Sequence, residues 1–165
     1  IIPARFLKAI DKEGMGDNLF RDWRYNADGS PKPDFVMNDP SYSGCILVAG
    51  KNFGSGSSRE HAALVPLYLG IKCVIVKSFA RIHMANLINA GILPLTFENE
   101  ADYDLINEGD ELVLENVREA VLKSGKIVLT DKTTGKQIPL CMNFSVRQRE
   151  MLLAGGLLRM TAKNS

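Results

Sequence analysis

The chain has 165 residues, 45% of them hydrophobic, which is enough to bury one compact core. Its 20 basic and 19 acidic residues nearly cancel, so no strong overall field favours nucleic acid or an anionic membrane as a partner. No apolar run approaches the ~20 residues of a membrane span, and no signal peptide is evident, so we expect a cytoplasmic protein. The first residue is Ile1 rather than methionine, so we expect the sequence to lack its true start.

Three cysteines, Cys45, Cys73 and Cys141, are far apart and odd in number. This excludes a disulfide scaffold and fits a reducing compartment. No C-x-x-C pair occurs, so we do not expect the chain alone to hold an iron–sulfur cluster or a four-cysteine zinc site. Each cysteine is predicted to be a small buried hydrophobic residue.

A loop-rich excursion occupies residues 11–43, where glycine, aspartate, asparagine and proline are frequent. The stretch 28-DGSPKPD-34 is a strong turn signal. Within the excursion, 19-LFRDWRY-25 combines aromatic residues with arginines, a composition typical of interfaces. One hypothesis is that Trp23 and its neighbours dock on a partner subunit. The alternative is that they close the domain's own core.

From Gly44 the pattern becomes regular. Short apolar runs typical of buried strands alternate with helical stretches, and the predicted order is strand 45–50, helix 58–70, strand 73–76, helix 79–91 and strand 92–97. Such alternation favours a parallel sheet with right-handed crossovers. Pro66 is expected to kink the first helix.

The remaining chain has a different pattern. Apolar and polar residues partly alternate, as in half-exposed antiparallel strands, over 110–115, 126–131 and 138–142. A last helix over 146–155 has Ser145 as its cap, with Gln148 as the partner in a capping box. The predicted fold is therefore one α/β domain over 1–165, with a mixed or parallel sheet, flanking helices and a small antiparallel portion.

The turn 52-NFGSGSSREHAA-63 has two interpretations. In the structural one, Ser57 and Glu60 have the S-x-x-E spacing of a capping box, and Gly54 and Gly56 form the turn before the helix. In the functional one, the unpaired N–H groups at the helix start attract an anion. Neither the P-loop, the G-x-G-x-x-G pattern nor the nucleophile elbow fits the spacing. The local pattern leaves both interpretations open.

An arginine and the two histidines of the chain bear on the functional interpretation. Arg59 can grip a carboxylate with two hydrogen bonds, and a positive environment lowers the pKa of a serine hydroxyl. A Ser-His-Asp triad is not expected, because His61 would lie on the same helix that Ser57 caps. The other histidine, His83, lies among apolar residues, and we predict a structural role with its hydrogen bonds satisfied.

The blocks 54-GSGSSREHAA-63 and 68-YLGIKCVIVKSFARIHMANLINAGILPLTF-97 closely resemble the swivelling small domain of the aconitase superfamily. The segments 1-IIPARFLK-8 and 16-GDNLFRDWRY-25 are similar to small subunits of bacterial 3-isopropylmalate dehydratases. The resemblance spans nearly the whole chain, and its S-S-R-E-H and S-F-A-R-I-H blocks are highly specific.

The resemblance implies a hydro-lyase that moves a hydroxyl group between adjacent carbons by dehydration and rehydration. It implies that Ser57 is the catalytic base and that Ser58 and Arg59 bind a substrate carboxylate. It also implies a [4Fe-4S] cluster held by a large partner subunit, so this chain is expected to be half of a composite enzyme. The substrate is expected to be a small hydroxy di- or tricarboxylic acid.

The substrate choice rests on the first residues. In related small subunits, residues just after I-I-P contact the variable group of the substrate. Lys8, with apolar neighbours, favours 2-isopropylmalate over citrate. The later blocks look more like aconitase or homoaconitase, which is the alternative. A non-catalytic anion-binding module is a third hypothesis.

Overall fold

The structure is a computed structural model that describes residues 1–3, 5, 16–42, 44–56, 60–123 and 125–163. Its centre is a six-stranded sheet with the strand order β1-β2-β3-β6-β5-β4. The strands are β1 (Ile46–Ala49), β2 (Cys73–Val76), β3 (Leu93–Phe97), β4 (Leu112–Leu114), β5 (Gly125–Asp131) and β6 (Gln137–Met142). The fold is therefore a mixed α/β fold, as the sequence predicts.

The helices flank this sheet. They are α1 (Arg21–Arg24), α2 (His61–Tyr68), α3 (Arg81–Ala90), α4 (Val117–Lys123), α5 (Val146–Ala154) and α6 (Leu157–Lys163). Pro66 lies inside α2. The sequence did not predict α4 or α6, nor the 3-10 helix at Glu100–Leu105 that follows β3. Over the described ranges, none of the helices combines the length and apolarity that crossing a membrane requires.

The first half of the sheet is parallel. β1 pairs with β2, and β2 with β3, so that Ile46 lies opposite Cys73 and Cys73 opposite Leu93. All four residues of β2 are buried, because strands pair with both of its edges and helices cover both of its faces. The predicted strand–helix alternation is confirmed.

The second half of the sheet is antiparallel. β6 pairs with β3 on one side and β5 on the other, and β4 closes the edge. Burial alternates along β5 and β6, as expected for strands with one face on the core. In the hairpin turn between them, the Asp131 carboxylate accepts hydrogen bonds from the backbone N–H groups of Thr133 and Thr134. The antiparallel strands predicted at 126–131 and 138–142 are confirmed.

The core consists of clusters on the two faces of the sheet. Cys73 and Ile75 of β2 belong to one cluster, whereas Val74 and Val76 belong to the other. This split follows from the strand geometry, since successive side chains point to opposite faces. The first cluster also includes residues of α3, α4 and α5, and the second includes residues of α2 and α3.

The described part of the excursion (16–42) is anchored by one aliphatic residue. Leu19 is fully buried and packs with Val65 of α2 in a third cluster. Trp23 stacks on Phe20 with ring centroids 5.7 Å apart, but it remains 66% exposed. The core-closing interpretation of this segment is therefore wrong for Trp23, whereas its neighbours Leu19 and Phe20 do pack on the core. Docking of Trp23 on a partner stays a prediction.

Two helix ends follow their sequence signals. The Ser145 hydroxyl accepts from the backbone N–H of Gln148, and the Gln148 side chain accepts from the N–H of Ser145, so the capping box is confirmed. Gly91 ends α3 with φ of 79°. A Cβ on Gly91 would lie 2.5 Å from the carbonyl carbon of Gly155, so the end of α3 packs directly on the turn between α5 and α6.

We therefore expect Gly91→Ala to lower the free energy of unfolding by about 2 kcal/mol or more, from positive φ and backbone overlap together. Gly70→Ala is the matched control. Gly70 follows α2 with φ of 92°, but open space surrounds its Cβ position. The Gly70→Ala variant should lose about 1 kcal/mol of unfolding free energy, because only the positive φ opposes the new side chain. Urea unfolding of both variants measures the difference, and equal losses would contradict the packing argument.

Candidate functional site

All four predicted site residues, Lys8, Ser57, Ser58 and Arg59, lie outside the described residues. We call the stretch 52–63, which contains Ser57, the serine turn. The structure describes the chain up to Gly56 and again from Glu60, so it describes both ends of this turn. Both lie where strands β1 and β2 end. The carboxyl edge of parallel strands is where ligands bind in open α/β sheets.

The turn before the serines is fastened to the segment that follows β2. The backbone N–H of Asn52 donates to the Ser78 hydroxyl at 2.8 Å, and that of Phe53 donates to the Ser78 carbonyl at 2.9 Å. The Ala80 N–H donates back to the Phe53 carbonyl at 2.9 Å. The segment that precedes the S-S-R-E-H block is thus joined in space to the start of the S-F-A-R-I-H block.

Gly54 approaches α3 more closely than any other residue type would allow. Its φ is +89°, and a Cβ built on it would lie 2.2 Å from Cγ of His83. The obstacle is the base of the imidazole ring, which sits on α3 and cannot swing aside as the end of a long side chain can. Glycine at position 54 is therefore required both by conformation and by space.

His83 itself is 1% exposed. Its ring meets the Phe53 ring edge-to-face, with centroids 5.3 Å apart. Among the residues that the structure describes, neither ring nitrogen has a hydrogen-bond partner. Burial lowers the pKa of His83 to about 4, so the ring is neutral near pH 7.

The predicted burial of His83 is confirmed, but the expectation of satisfied hydrogen bonds is wrong within the described part of the chain. An unpaired buried polar atom costs about 1–3 kcal/mol, so a histidine is a poor choice for packing alone. The sequence signal that pointed to this residue was the S-F-A-R-I-H block. Its contact with Gly54 was not visible there, because 28 positions separate the two residues.

The described part of α2 begins at His61, three residues after the predicted start. Glu60 precedes it with helical backbone angles and makes no side-chain cap. Ser57, the other half of the predicted capping box, lies outside the described residues, so the box stays a prediction. The start of α2 nevertheless places the positive end of a helix dipole directly after the S-S-R sequence.

Lysines stand at the same edge of the sheet. Lys51 follows β1 and pairs with Glu100 at 2.7 Å. Lys77 follows β2, lies 3.6 Å from Asp104 and has its ammonium 4.7 Å from the ring centre of Tyr103. Exposed pairs of this kind add little stability. These pairs place charged groups of both signs at the ends of β1 and β2, a feature that sequence analysis missed because the acidic partners come from the 3-10 helix after β3.

The amino-terminal segment packs against the same helix. Ile1 and Ile2 contact the cluster around Val65 of α2. Arg5 forms an ion pair with Asp22, and this hydrogen bond holds the pKa of the Asp22 carboxyl below its usual value. The residues that lead to Lys8 and the helix that follows Ser57 therefore lie in one region of the molecule.

A cavity of about 570 Å³ opens beside Arg5. Its lining comes from Arg5 and from the excursion (Arg21, Asp22, Tyr25, Asn26, Ala27, Gly29 and Lys32). None of these residues belongs to the turn at 52–56 or to α2. The cavity is therefore a feature of the excursion and not of the serine turn.

The cysteines do not form a metal site. Cys73 is buried, and burial raises the pKa of its thiol, which makes it inert. Cys45 is exposed and Cys141 is half-buried, so the prediction of three buried cysteines is wrong for Cys45. Within the described ranges, no three or more histidine, cysteine or acidic residues come together as metal ligands. These residues do not fit an iron–sulfur cluster.

The sequence is similar to that of known proteins of one family. Residues 1–100 match the aconitase C-terminal domain family. The chain is 52% identical to the 3-isopropylmalate dehydratase small subunit of Cytophaga hutchinsonii, over 76% of this chain and 65% of that protein. It is 46% identical to the small subunit of the same name from Azobacteroides pseudotrichonymphae, over 93% of this chain and 71% of that protein. The match thus spans less than two thirds of the Cytophaga relative.

The fold matches a solved structure as well. A crystal structure of 3-isopropylmalate dehydratase from Methanocaldococcus jannaschii superposes with a TM-score of 0.72 and 32% sequence identity. The match covers 99% of this chain and 84% of that one.

The contact between Gly54 and His83 predicts a coupling that unfolding experiments can measure. Gly54→Ala should cost about 2 kcal/mol or more, because the new methyl group meets the ring. In a His83→Ala background the same change should cost at least about 1 kcal/mol less. Gly56→Ala is the control in the same turn, since its Cβ position is open, and it should be nearly neutral. Additive losses for Gly54 and His83 would contradict the contact.

The neutral His83 also predicts a pH dependence. The unfolded chain binds a proton at His83 near pH 6.5, whereas the folded chain resists it until about pH 4. Above pH 6.5 this group therefore does not reduce the free energy of unfolding. As the pH falls from 6.5 towards 4, the free energy of unfolding decreases by up to roughly 3 kcal/mol. His83→Leu should lose less stability than the parent over the same range. Parallel pH profiles of unfolding for the two proteins would contradict a buried, neutral ring.

Proposed function

Since the chain belongs to the aconitase C-terminal domain family, we propose that it is the small subunit of a hydro-lyase that isomerises a hydroxy acid by dehydration and rehydration. The proposed reaction converts 2-isopropylmalate to 3-isopropylmalate, a step of leucine biosynthesis. Relatives named as 3-isopropylmalate dehydratase small subunits support this substrate. The observation that carries the proposal is the attachment of Asn52 and Phe53 to the segment after β2, which holds the turn that precedes Ser57 in the chain.

In the proposed mechanism Ser57 removes a proton from the substrate carbon next to the one that carries the hydroxyl group. A serine hydroxyl is a weak base unless positive groups lower its pKa. The amino-terminal end of α2 supplies a partial positive charge, and Arg59, two positions after Ser57 in the chain, adds a full one. Ser58 and Arg59 are proposed to bind a substrate carboxylate, and Arg59 can do so with two parallel hydrogen bonds.

The proposed enzyme needs a second subunit. A [4Fe-4S] cluster acts in such enzymes as a Lewis acid towards the leaving hydroxyl group. The described residues of this chain do not offer its ligands, so we place the cluster on a large partner subunit. The complete site is then proposed to form where the serine turn meets that subunit.

Lys8 is proposed to contact the variable part of the substrate. It follows Arg5 by three positions, and Ile1 and Ile2 pack on the cluster around Val65 of α2. A lysine between apolar neighbours suits a substrate with one carboxylate and an isopropyl group at this end. Citrate and homocitrate carry an additional carboxylate, and they are the substrates of the alternative aconitase or homoaconitase activity.

We expect Ser57→Ala to reduce kcat of the reconstituted two-subunit enzyme at least about a thousandfold, because the proton acceptor is removed. Assembly with the large subunit, measured by co-purification, should remain intact. Ser55→Ala is the matched control, since Ser55 is an exposed serine of the same turn. Full activity of Ser57→Ala in the assembled enzyme would refute the catalytic role and favour a non-catalytic anion-binding module.

The same reconstituted enzyme decides the substrate. Each of 2-isopropylmalate, citrate and homocitrate is supplied in turn, and formation of the unsaturated intermediate is followed by ultraviolet absorbance. Turnover of 2-isopropylmalate with little turnover of the tricarboxylates is the expected result. Turnover of citrate or homocitrate but not of 2-isopropylmalate would assign the alternative activity.

A further inference from the structure

We propose that His83 is a positioning residue for the serine turn, and that one of its ring nitrogens forms a hydrogen bond in the complete site. That bond holds the turn in its active arrangement. This inference rests on the proposed function, since the turn matters only if Ser57 acts there. His83 is not proposed to exchange a proton with the substrate.

The first argument is the cost of the residue. His83 is 1% exposed, and neither ring nitrogen has a partner in the described ranges. Leucine or methionine fills a similar volume without leaving polar atoms unpaired, so packing alone favours those residues. The polar ring of His83 among apolar residues is therefore best explained by a hydrogen bond that forms when the large subunit and the substrate are bound.

The second argument is position. The ring lies directly beneath Gly54, three residues before Ser57, at a distance that no side chain on Gly54 would permit. Phe53 packs on the ring edge, and its backbone is held on both sides by the segment 78–80. A displacement of the His83 ring towards the turn therefore displaces Phe53 and Gly54. A displacement of about 1 Å in a catalytic group can reduce the rate a hundredfold.

The third argument is the protonation state. Burial keeps the ring neutral near pH 7, so it offers one N–H donor and one acceptor nitrogen. A neutral donor can orient a hydroxyl or a backbone group without adding a charge to the site.

The test uses the reconstituted two-subunit enzyme and three variants. His83→Leu removes the nitrogens and keeps the volume, whereas His83→Gln retains an amide donor and acceptor. Ile88→Ala is the control for general destabilisation. Ile88 is equally buried on α3, and it belongs to the first core cluster, which contains no residue of the turn at 52–56. For each variant, kcat, KM and the urea midpoint are measured.

We expect His83→Leu to lower kcat by roughly ten- to a hundredfold, with KM changed less than about threefold and the urea midpoint unchanged or raised. His83→Gln should recover at least part of that loss. Ile88→Ala should lower the midpoint and leave kcat near that of the parent. This combination separates positioning from a structural role, because a structural role ties activity to stability.

The inference is overturned if His83→Leu retains kcat, if His83→Gln is no better than His83→Leu, or if kcat follows the urea midpoint in all three variants. Its failure is distinguishable from failure of the proposed function. An inactive Ser57→Ala with a fully active His83→Leu removes only the role of His83. An active Ser57→Ala removes the proposed catalytic site itself.

Discussion

The close approach of the Gly54 backbone to the His83 ring is the constraint on which the arrangement of the site depends. It requires a residue without a side chain at position 54, and it requires α3 to stand directly behind the turn after β1. Hydrogen bonds from Asn52 and Phe53 to Ser78 then fasten the turn to the adjacent strand end. The chain that enters the S-S-R sequence is thus held from two directions, by packing and by hydrogen bonds.

The parallel half of the sheet makes this contact possible. β1 and β2 run side by side, so the turns that follow them emerge at one edge, and α2 and α3 begin there together. The antiparallel half has a different role. Its strands β5 and β6 bury alternate residues and complete the core beneath β3, while the turn between α5 and α6 packs on the end of α3 at Gly91. The helix that carries His83 is therefore held at both ends.

Exposed ion pairs and the buried His83 affect stability in opposite ways. Exposed ion pairs such as that of Lys51 with Glu100 add little stability, and they concentrate charge at the edge of the sheet. His83 is the opposite case, since it is deeply buried, neutral and without a partner in the described ranges. Stability is given up at His83, directly beneath the turn that leads to Ser57. Natural proteins depart from the rules of core packing mainly at functional sites.

Much of the architecture was determined by the sequence itself. A continuous apolar run predicted β2 with its exact bounds, and Ser145 with Gln148 predicted the start of α5, because both signals act within a few residues. The sequence missed α4 and α6, whose short helices are held by tertiary packing rather than by strong end signals. Only the tertiary structure decided that Leu19 rather than Trp23 is buried and that Gly54 lies against His83. Such contacts join positions far apart in the chain, and a local pattern carries no information about distances between them.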